Sequence, residues 1–280
     1  MRYLLCNEVV RELSFEAQCE LALQLGFDGL ELAPFTLGEE PHLVPSAERA
    51  RLRRTLEETG CVVGSLHWLL VSPQGLSITS PDPAVRRRTF EVMEGLVELC
   101  ADLGGNVLVH GSPGQRELTE GDRQGAKERA REAFARAGDS ARVAGVTYCI
   151  EPLSVQETEF VNTVAEAAEI VEEIGNRALR TMIDCRAARL SESEGVADLI
   201  RRWVPPGIVS HVHLNDRNRG APGQGEDEFA SVLRALDEVN YEGYCGVEPF
   251  VYLPDGPTTA ARAIGYLRGV EEGLGSSARS

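Results

Sequence analysis

Seven ionisable side chains, Glu31, His67, His110, Glu151, Asp184, His213 and Glu248, stand at the ends of short apolar, β-branched runs. Four of the five histidines, His67, His110, His211 and His213, lie on or directly after such runs, where an unpaired polar group is costly to bury. Any one of them is accounted for by a hydrogen bond to a neighbouring loop, since buried polar groups find partners. The group as a whole asks for more. Three carboxylates and an imidazole brought to one place repel unless protons or a cation intervene. The set Glu151, Asp184, His213 and Glu248 therefore points to a divalent metal ion. Its oxygen-rich donors suit manganese, magnesium or cobalt better than a thiolate-bound structural zinc, with zinc as the alternative. In Ser210-His211-Val212-His213-Leu214 both histidines point to one face of a strand. His213, nearer the C-terminal end, is the better ligand, and His211 packs deeper, hydrogen-bonded below the site.

The runs that must position these groups span residues 3–6, 29–32, 62–66, 107–109, 147–150, 181–183, 209–214 and 244–247, eight candidate strands. Between them apolar residues recur at helical spacing, as in Phe90, Met93, Leu96, Leu99 and Leu103, or Val164, Ala168, Val171 and Ile174. Asp82-Pro83 supplies a cap and a first-turn proline, and Thr163 with Glu166 matches a capping box. Gly26, Gly60, Gly104, Gly145 and Gly175 each follow a helical stretch, where a left-handed residue is wanted. Eight consecutive strand–helix units with no Pro- or Ser-rich linker predict an α/β chain folded as a single (β/α)8 TIM barrel over residues 1–274. Residues 275–280 read as a flexible tail. A glycine-rich phosphate fingerprint after the first strand is missing, which argues against an open doubly wound sheet. Catalytic groups of such a barrel gather at the C-terminal ends of its strands. Glu31, His67, Trp68 and His110 are accordingly expected to face the cavity as substrate-contacting groups.

With 280 residues and 42% hydrophobic content the chain can bury one large core. Its formal charge of −16 argues against nucleic acid or an anionic membrane surface as a partner. The seven cysteines are odd in number and never in a CxxC spacing, which fits reduced thiols. The apolar start of the chain is broken by Asn7 and Glu8, too early for a signal peptide, and no apolar run approaches the roughly 20 residues of a membrane span. A cytoplasmic protein acting on a small molecule is expected.

Several short segments recur in a telling order: Leu66-His67-Trp68, Val109-His110-Gly111-Ser112, Ile150-Glu151-Pro152-Leu153 followed by Glu157 and Asn162-Thr163, and Ile183-Asp184. After them come His211-Val212-His213-Leu214-Asn215-Asp216 with Arg219, Pro222-Gly223-Gln224-Gly225, and Gly246-Val247-Glu248-Pro249. Over nearly its whole length the chain thus resembles the xylose isomerase-like barrel superfamily, and within it the sugar phosphate isomerase/epimerase branch that includes the ketose 3-epimerases. The resemblance implies that Glu151, Asp184, His213 and Glu248 bind a single catalytic metal. It further implies that Glu157 and Arg219 contact substrate hydroxyls, and that Glu151 and Glu248 form the proton-transfer pair across a sugar carbon. The implied activity is isomerisation or epimerisation of a sugar or sugar-like polyhydroxy ketone by proton transfer through an enediolate, in a protein that related barrels suggest is a homo-oligomer.

Rival readings share parts of this pattern. An inosose-type dehydratase begins with the same α-proton abstraction. An apurinic-site endonuclease shares the fold and would use His67 and His110 with Glu151 for a second metal. Against it, Ala187 stands where a third-site histidine is expected, and residues 217–229 lack an Asp-x-His pair. A non-catalytic sugar-binding barrel would have lost the carboxylate pair. Ala187 also departs from the ketose-epimerase pattern, which places a substrate-contacting histidine three residues after the metal aspartate. Arg116, Arg186 and Arg189 lie near the expected rim, where they would suit an anionic substrate or pair with neighbouring acids.

Overall fold

The computed structural model describes residues 1–277. Eight parallel strands close in sequence order into a barrel: β1 (Arg2–Cys6), β2 (Gly29–Leu32), β3 (Val63–Leu66), β4 (Val107–His110), β5 (Thr147–Ile150), β6 (Leu179–Asp184), β7 (Val209–Leu214) and β8 (Tyr244–Val247). β8 returns to β1 with Tyr3 opposite Cys245 and Leu5 opposite Val247, so no strand edge is left open. Around the barrel run α1 (Phe15–Leu25), α2 (Ser46–Thr59), α3 (Pro83–Asp102), α4 (Arg123–Ala144), α5 (Val164–Ile174), α6 (Cys185–Ser191), α7 (Val196–Trp203), α8 (Ala230–Glu238) and α9 (Gly256–Ser277). The (β/α)8 barrel expected from the sequence is the fold observed.

Local chemistry sets the element ends. Asp82 accepts a hydrogen bond from the Ala84 amide at the start of α3, and Thr163 does the same for the Glu166 amide at the start of α5. Gly26, Gly60, Gly145 and Gly175 close α1, α2, α4 and α5 in the left-handed conformation. Helix α9 runs through Ser277, three residues into the segment expected to be a tail; residues 278–280 of that segment lie outside the described residues.

The main core fills the layer between strands and helices. A separate small cluster joins Val109, Cys149 and Met182. Each of these precedes a rim residue by two positions (Gly111, Glu151 and Asp184), so alternation along the strands puts the cluster inside the barrel, under the mouth. Among the described residues, no helix is long and apolar enough to cross a membrane.

Candidate metal centre

Glu151 directly follows β5, Asp184 ends β6, His213 is the penultimate residue of β7 and Glu248 directly follows β8. All four are buried, and one ligand atom from each lies within 4.8 Å of the others. The His213 ring is fixed from behind, with Nε2 3.0 Å from Glu31 Oε1. Its Nδ1 faces Glu248 Oε2 at 3.1 Å, Glu151 Oε1 at 3.7 Å and Asp184 Oδ2 at 3.9 Å. Despite the short approach to Glu248, the angles make no hydrogen bond, and Nδ1 is buried without a partner. If Nε2 carries the proton given to Glu31, then Nδ1 turns a lone pair toward three carboxylates, an arrangement that needs a positive charge between them.

The carboxylates register the same crowding. Burial, reinforced by the neighbouring Glu151 and Glu248, pushes Asp184 up to about 7. Burial also raises Glu151. Glu248 is lowered to about 2, because His213 and His67 outweigh its desolvation. The His213 imidazole is driven well above its usual range, since Glu248 and Glu31 overcome the penalty of burial. A cation at the centre would offset the burial and mutual repulsion that raise Glu151 and Asp184, and three carboxylate ligands with one imidazole match an oxygen-preferring divalent ion. Two glycines keep the space clear. A Cβ at Gly111 would collide with Glu151 Oε2, and one at Gly246 with Glu31 Oε2.

Three side chains expected to contact substrate are placed elsewhere. Glu31 is fully buried behind His213, its two oxygens taken by His213 Nε2 and by His211 Nε2 at 2.9 Å. His67 lies under the rim with Nδ1 3.0 Å from Glu248 Oε1 and Nε2 3.1 Å from Glu8 Oε2, leaving no ring nitrogen for a substrate. His110 points outward from the barrel: Nδ1 meets the Tyr148 hydroxyl at 2.7 Å, and its ring packs edge-on against Phe134 of α4. Burial lowers it to about 3, so it is a neutral residue of the strand–helix layer. His110 belongs to none of the clusters of prospective ligands among the described residues.

Trp68 does face the mouth. Its Nε1 donates to Glu248 Oε1 at 2.7 Å, so His67 and Trp68 together hold one oxygen of Glu248, while the other, which accepts a long 3.5 Å hydrogen bond from Asn215 Nδ2, lies 3.1 Å from His213 Nδ1. Above lies a cavity of about 280 Å³ lined by Trp68, Gly111, Ser112, Glu151, Glu157, Arg219, Glu248 and Phe250, among others. Trp68, Ser112 and Arg219 hold positive φ values of 53°, 43° and 73°, a strained conformation for side-chain-bearing residues that gathers at functional sites.

The expected rim arginines separate. Arg116 is fully buried, its Nη2 donating to the Glu151 carbonyl at 2.8 Å. Arg189 turns to Asp227 and to the Glu228 carbonyl, while Arg186 reaches Glu157. Sequence reasoning missed Glu8, Asn215 and Phe250. Asn215 donates to Asp184 Oδ2 at 2.6 Å, and its place inside the His211 to Asp216 segment was a usable sign. Glu8, in the short helical turn after β1, was another, being an acid amid apolar residues.

The model of the xylose isomerase-like TIM barrel family matches residues 19–270. A D-psicose 3-epimerase of Agrobacterium fabrum is 27% identical over 241 residues, 85% of this chain and 80% of the relative. An L-ribulose 3-epimerase of Mesorhizobium japonicum is 30% identical over 177 residues, 62% of this chain and 58% of the relative. Among solved structures, an L-ribulose 3-epimerase superposes with a TM-score of 0.83 at 23% identity, covering 100% of this chain and 97% of its own. With its closed eight-stranded barrel and a family match that spans most of its length, the chain belongs to the xylose isomerase-like TIM barrel family.

Proposed function

We propose that this protein is a divalent-metal-dependent epimerase or isomerase acting on a sugar or sugar-like polyhydroxy ketone. The observation that carries the reading is His213 Nδ1, buried and unpartnered among three carboxylates, two of which, Glu151 and Glu248, line a small cavity. Relatives named as 3-epimerases of D-psicose and L-ribulose support the sugar class. Glu151, Asp184, His213 and Glu248 would hold the ion, with manganese, magnesium or cobalt favoured by the donors and zinc as the alternative. Bound there, it supplies Lewis-acid polarisation of the substrate carbonyl and adjacent hydroxyl.

The chain's own residues do the rest. Glu151 and Glu248 reach the centre from β5 and β8, three strands apart around the rim. One takes the proton from the carbon next to the carbonyl and the other returns a proton to the opposite face, with an enediolate between the two steps. His67 and Trp68 fix the carboxylate plane of Glu248 by holding its Oε1. Trp68 and Phe250 form apolar walls, and Glu157 and Arg219 offer polar atoms to substrate hydroxyls. Seven unpaired, buried cysteines support a reducing, cytoplasmic setting. The endonuclease alternative loses ground because His67 and His110 are committed to Glu8, Glu248 and Tyr148 rather than gathered with Glu151.

The test is incubation of manganese-loaded protein with ketopentoses and ketohexoses in D2O. Deuterium is expected at the carbon next to the carbonyl, together with the epimer or isomer. Glu151→Gln and Glu248→Gln should each lower turnover by about 10²–10⁴-fold, the usual contribution of a positioned acid or base, because an amide still offers an oxygen to a metal but carries no exchangeable acid/base function. Near-normal turnover in either variant rules out the two-carboxylate mechanism. Exchange accompanied by a dehydrated product assigns the dehydratase instead.

A further inference from the structure

We propose that Arg219 and Phe250 in the wall of the cavity, with Arg186 packed behind them against Phe250 and Glu157, recognise an anionic group, a carboxylate or a phosphate, on the polyhydroxy substrate. This rests on the cavity being the substrate site. The two guanidinium groups share one aromatic ring, with Cζ of Arg186 5.9 Å and Cζ of Arg219 5.4 Å from the Phe250 centroid. Phe250 and Arg219 line the cavity directly, as does Glu157, the carboxylate that Arg186 Nη1 meets at 3.2 Å.

Charge at this wall does not balance. Glu157 is the ion-pair partner of Arg186, and its Oε2 also takes the Ser154 hydroxyl at 2.5 Å. Arg219 has no ion pair among the described residues; its guanidinium contact is with Phe250. On this side of the cavity two cations therefore share one carboxylate, while the other lining carboxylates, Glu151 and Glu248, belong to the cluster with Asp184 and His213, in a chain whose acidic residues outnumber Lys and Arg by 44 to 28. An exposed arginine needs no partner, but Arg186 is only 8% exposed and its Nε is buried without one. A buried guanidinium with an unmet N–H is costly unless a ligand meets the charge. Stacking on a ring orients each fork, and a planar fork matches the oxygens of a carboxylate or phosphate.

Position reinforces the argument. Arg186 is adjacent to Ala187, where the ketose-epimerase pattern carries a substrate-contacting histidine. Ala187 brings only a methyl group, and its amide is used by Asp184 Oδ1 at 2.6 Å.

The test is calorimetric binding of three unreactive probes to the manganese-loaded protein: ribitol, ribonate and ribitol 5-phosphate. At least one charged probe should bind about tenfold or more tightly than ribitol, the effect of one charge-assisted hydrogen bond; whichever is tighter names carboxylate or phosphate as the group recognised. Arg186→Met should bring that ratio to within about threefold, Arg186→Lys should retain part of it, and Glu157→Gln should raise it. Circular dichroism and metal content of the variants confirm that folding and the metal centre are intact. Equal affinities for all three probes overturn the proposal, as does a preference that survives Arg186→Met combined with Arg219→Met, which would mean that the metal reads the charge. The deuterium experiment separates the two readings. Exchange on neutral ketoses with no charge preference removes this inference alone, whereas Arg186-dependent anion binding without exchange on neutral, carboxylated or phosphorylated ketoses supports it and removes the epimerase assignment.

Discussion

The two halves of the barrel mouth carry similar residues in unlike states. From β5 to β8, Glu151, Asp184, His213 and Glu248 turn their polar atoms toward one point, and the atom at its middle has no hydrogen-bond partner. From β2 to β4, Glu31, His67 and His110 are committed instead to His211 and His213, to Glu8 and Glu248, and to Tyr148. The first half leaves a gap that a cation fits. The second half holds the first in place. Glu31 fixes the ring of His213, and His67 fixes one oxygen of Glu248, the pattern by which outer carboxylates and imidazoles orient metal ligands. A polar strand end in a barrel is therefore not a sign of contact with substrate; what matters is whether its polar atoms are already satisfied.

Removing a ligand from the open half should show the largest effect. His213→Ala or Asp184→Asn is expected to weaken manganese binding by more than about 100-fold, beyond what loss of a supporting partner costs, with circular dichroism unchanged. Metal analysis after dialysis reads this directly, and unchanged stoichiometry in both variants would dissolve the distinction between the halves.

A change in the supporting half should act on the same quantity more weakly. Glu31→Gln keeps the shape but removes the charge behind His213, and about 10–100-fold loss of manganese affinity is expected by titration. If Glu31→Gln bound metal as tightly as the unaltered protein, Glu31 would be a packing residue with no hold over the centre.

The smallest effect belongs to His110, which lies outside both the cavity and the ligand cluster. Tyr148→Phe leaves His110 Nδ1 without its 2.7 Å partner in a fully buried place, at an expected cost of about 1–3 kcal/mol in denaturant unfolding. Manganese affinity should stay within about twofold. A large loss of affinity would return His110 to the site and reopen the second-metal alternative.

Local signals made the architecture legible. Strands β2, β5, β7 and β8 lie where the apolar runs end and begin, and the caps at Asp82 and Thr163 and the closing glycines of α1, α2, α4 and α5 behave as their residue types require. Caps, turns and periodicity are short-range properties, so neighbouring residues suffice to fix them. They also carried Glu151, Asp184, His213 and Glu248 to one rim, because strand order in a closed barrel follows chain order.

Tertiary structure alone decided which polar residue does what. Strands buried on both faces are apolar on both faces, so Val107-Leu108-Val109-His110 gives no sign that His110 turns outward while Gly111 turns in. The pairs Glu31 with His211 and His67 with Glu248 join residues 180 and 181 positions apart, a distance at which no local pattern carries information. The same holds for Arg186 and Arg219, which meet at Phe250 only because three segments far apart in the chain end at one mouth. Sequence determined which side chains reach the rim; barrel closure decided which of them satisfy one another and which remain open to a ligand.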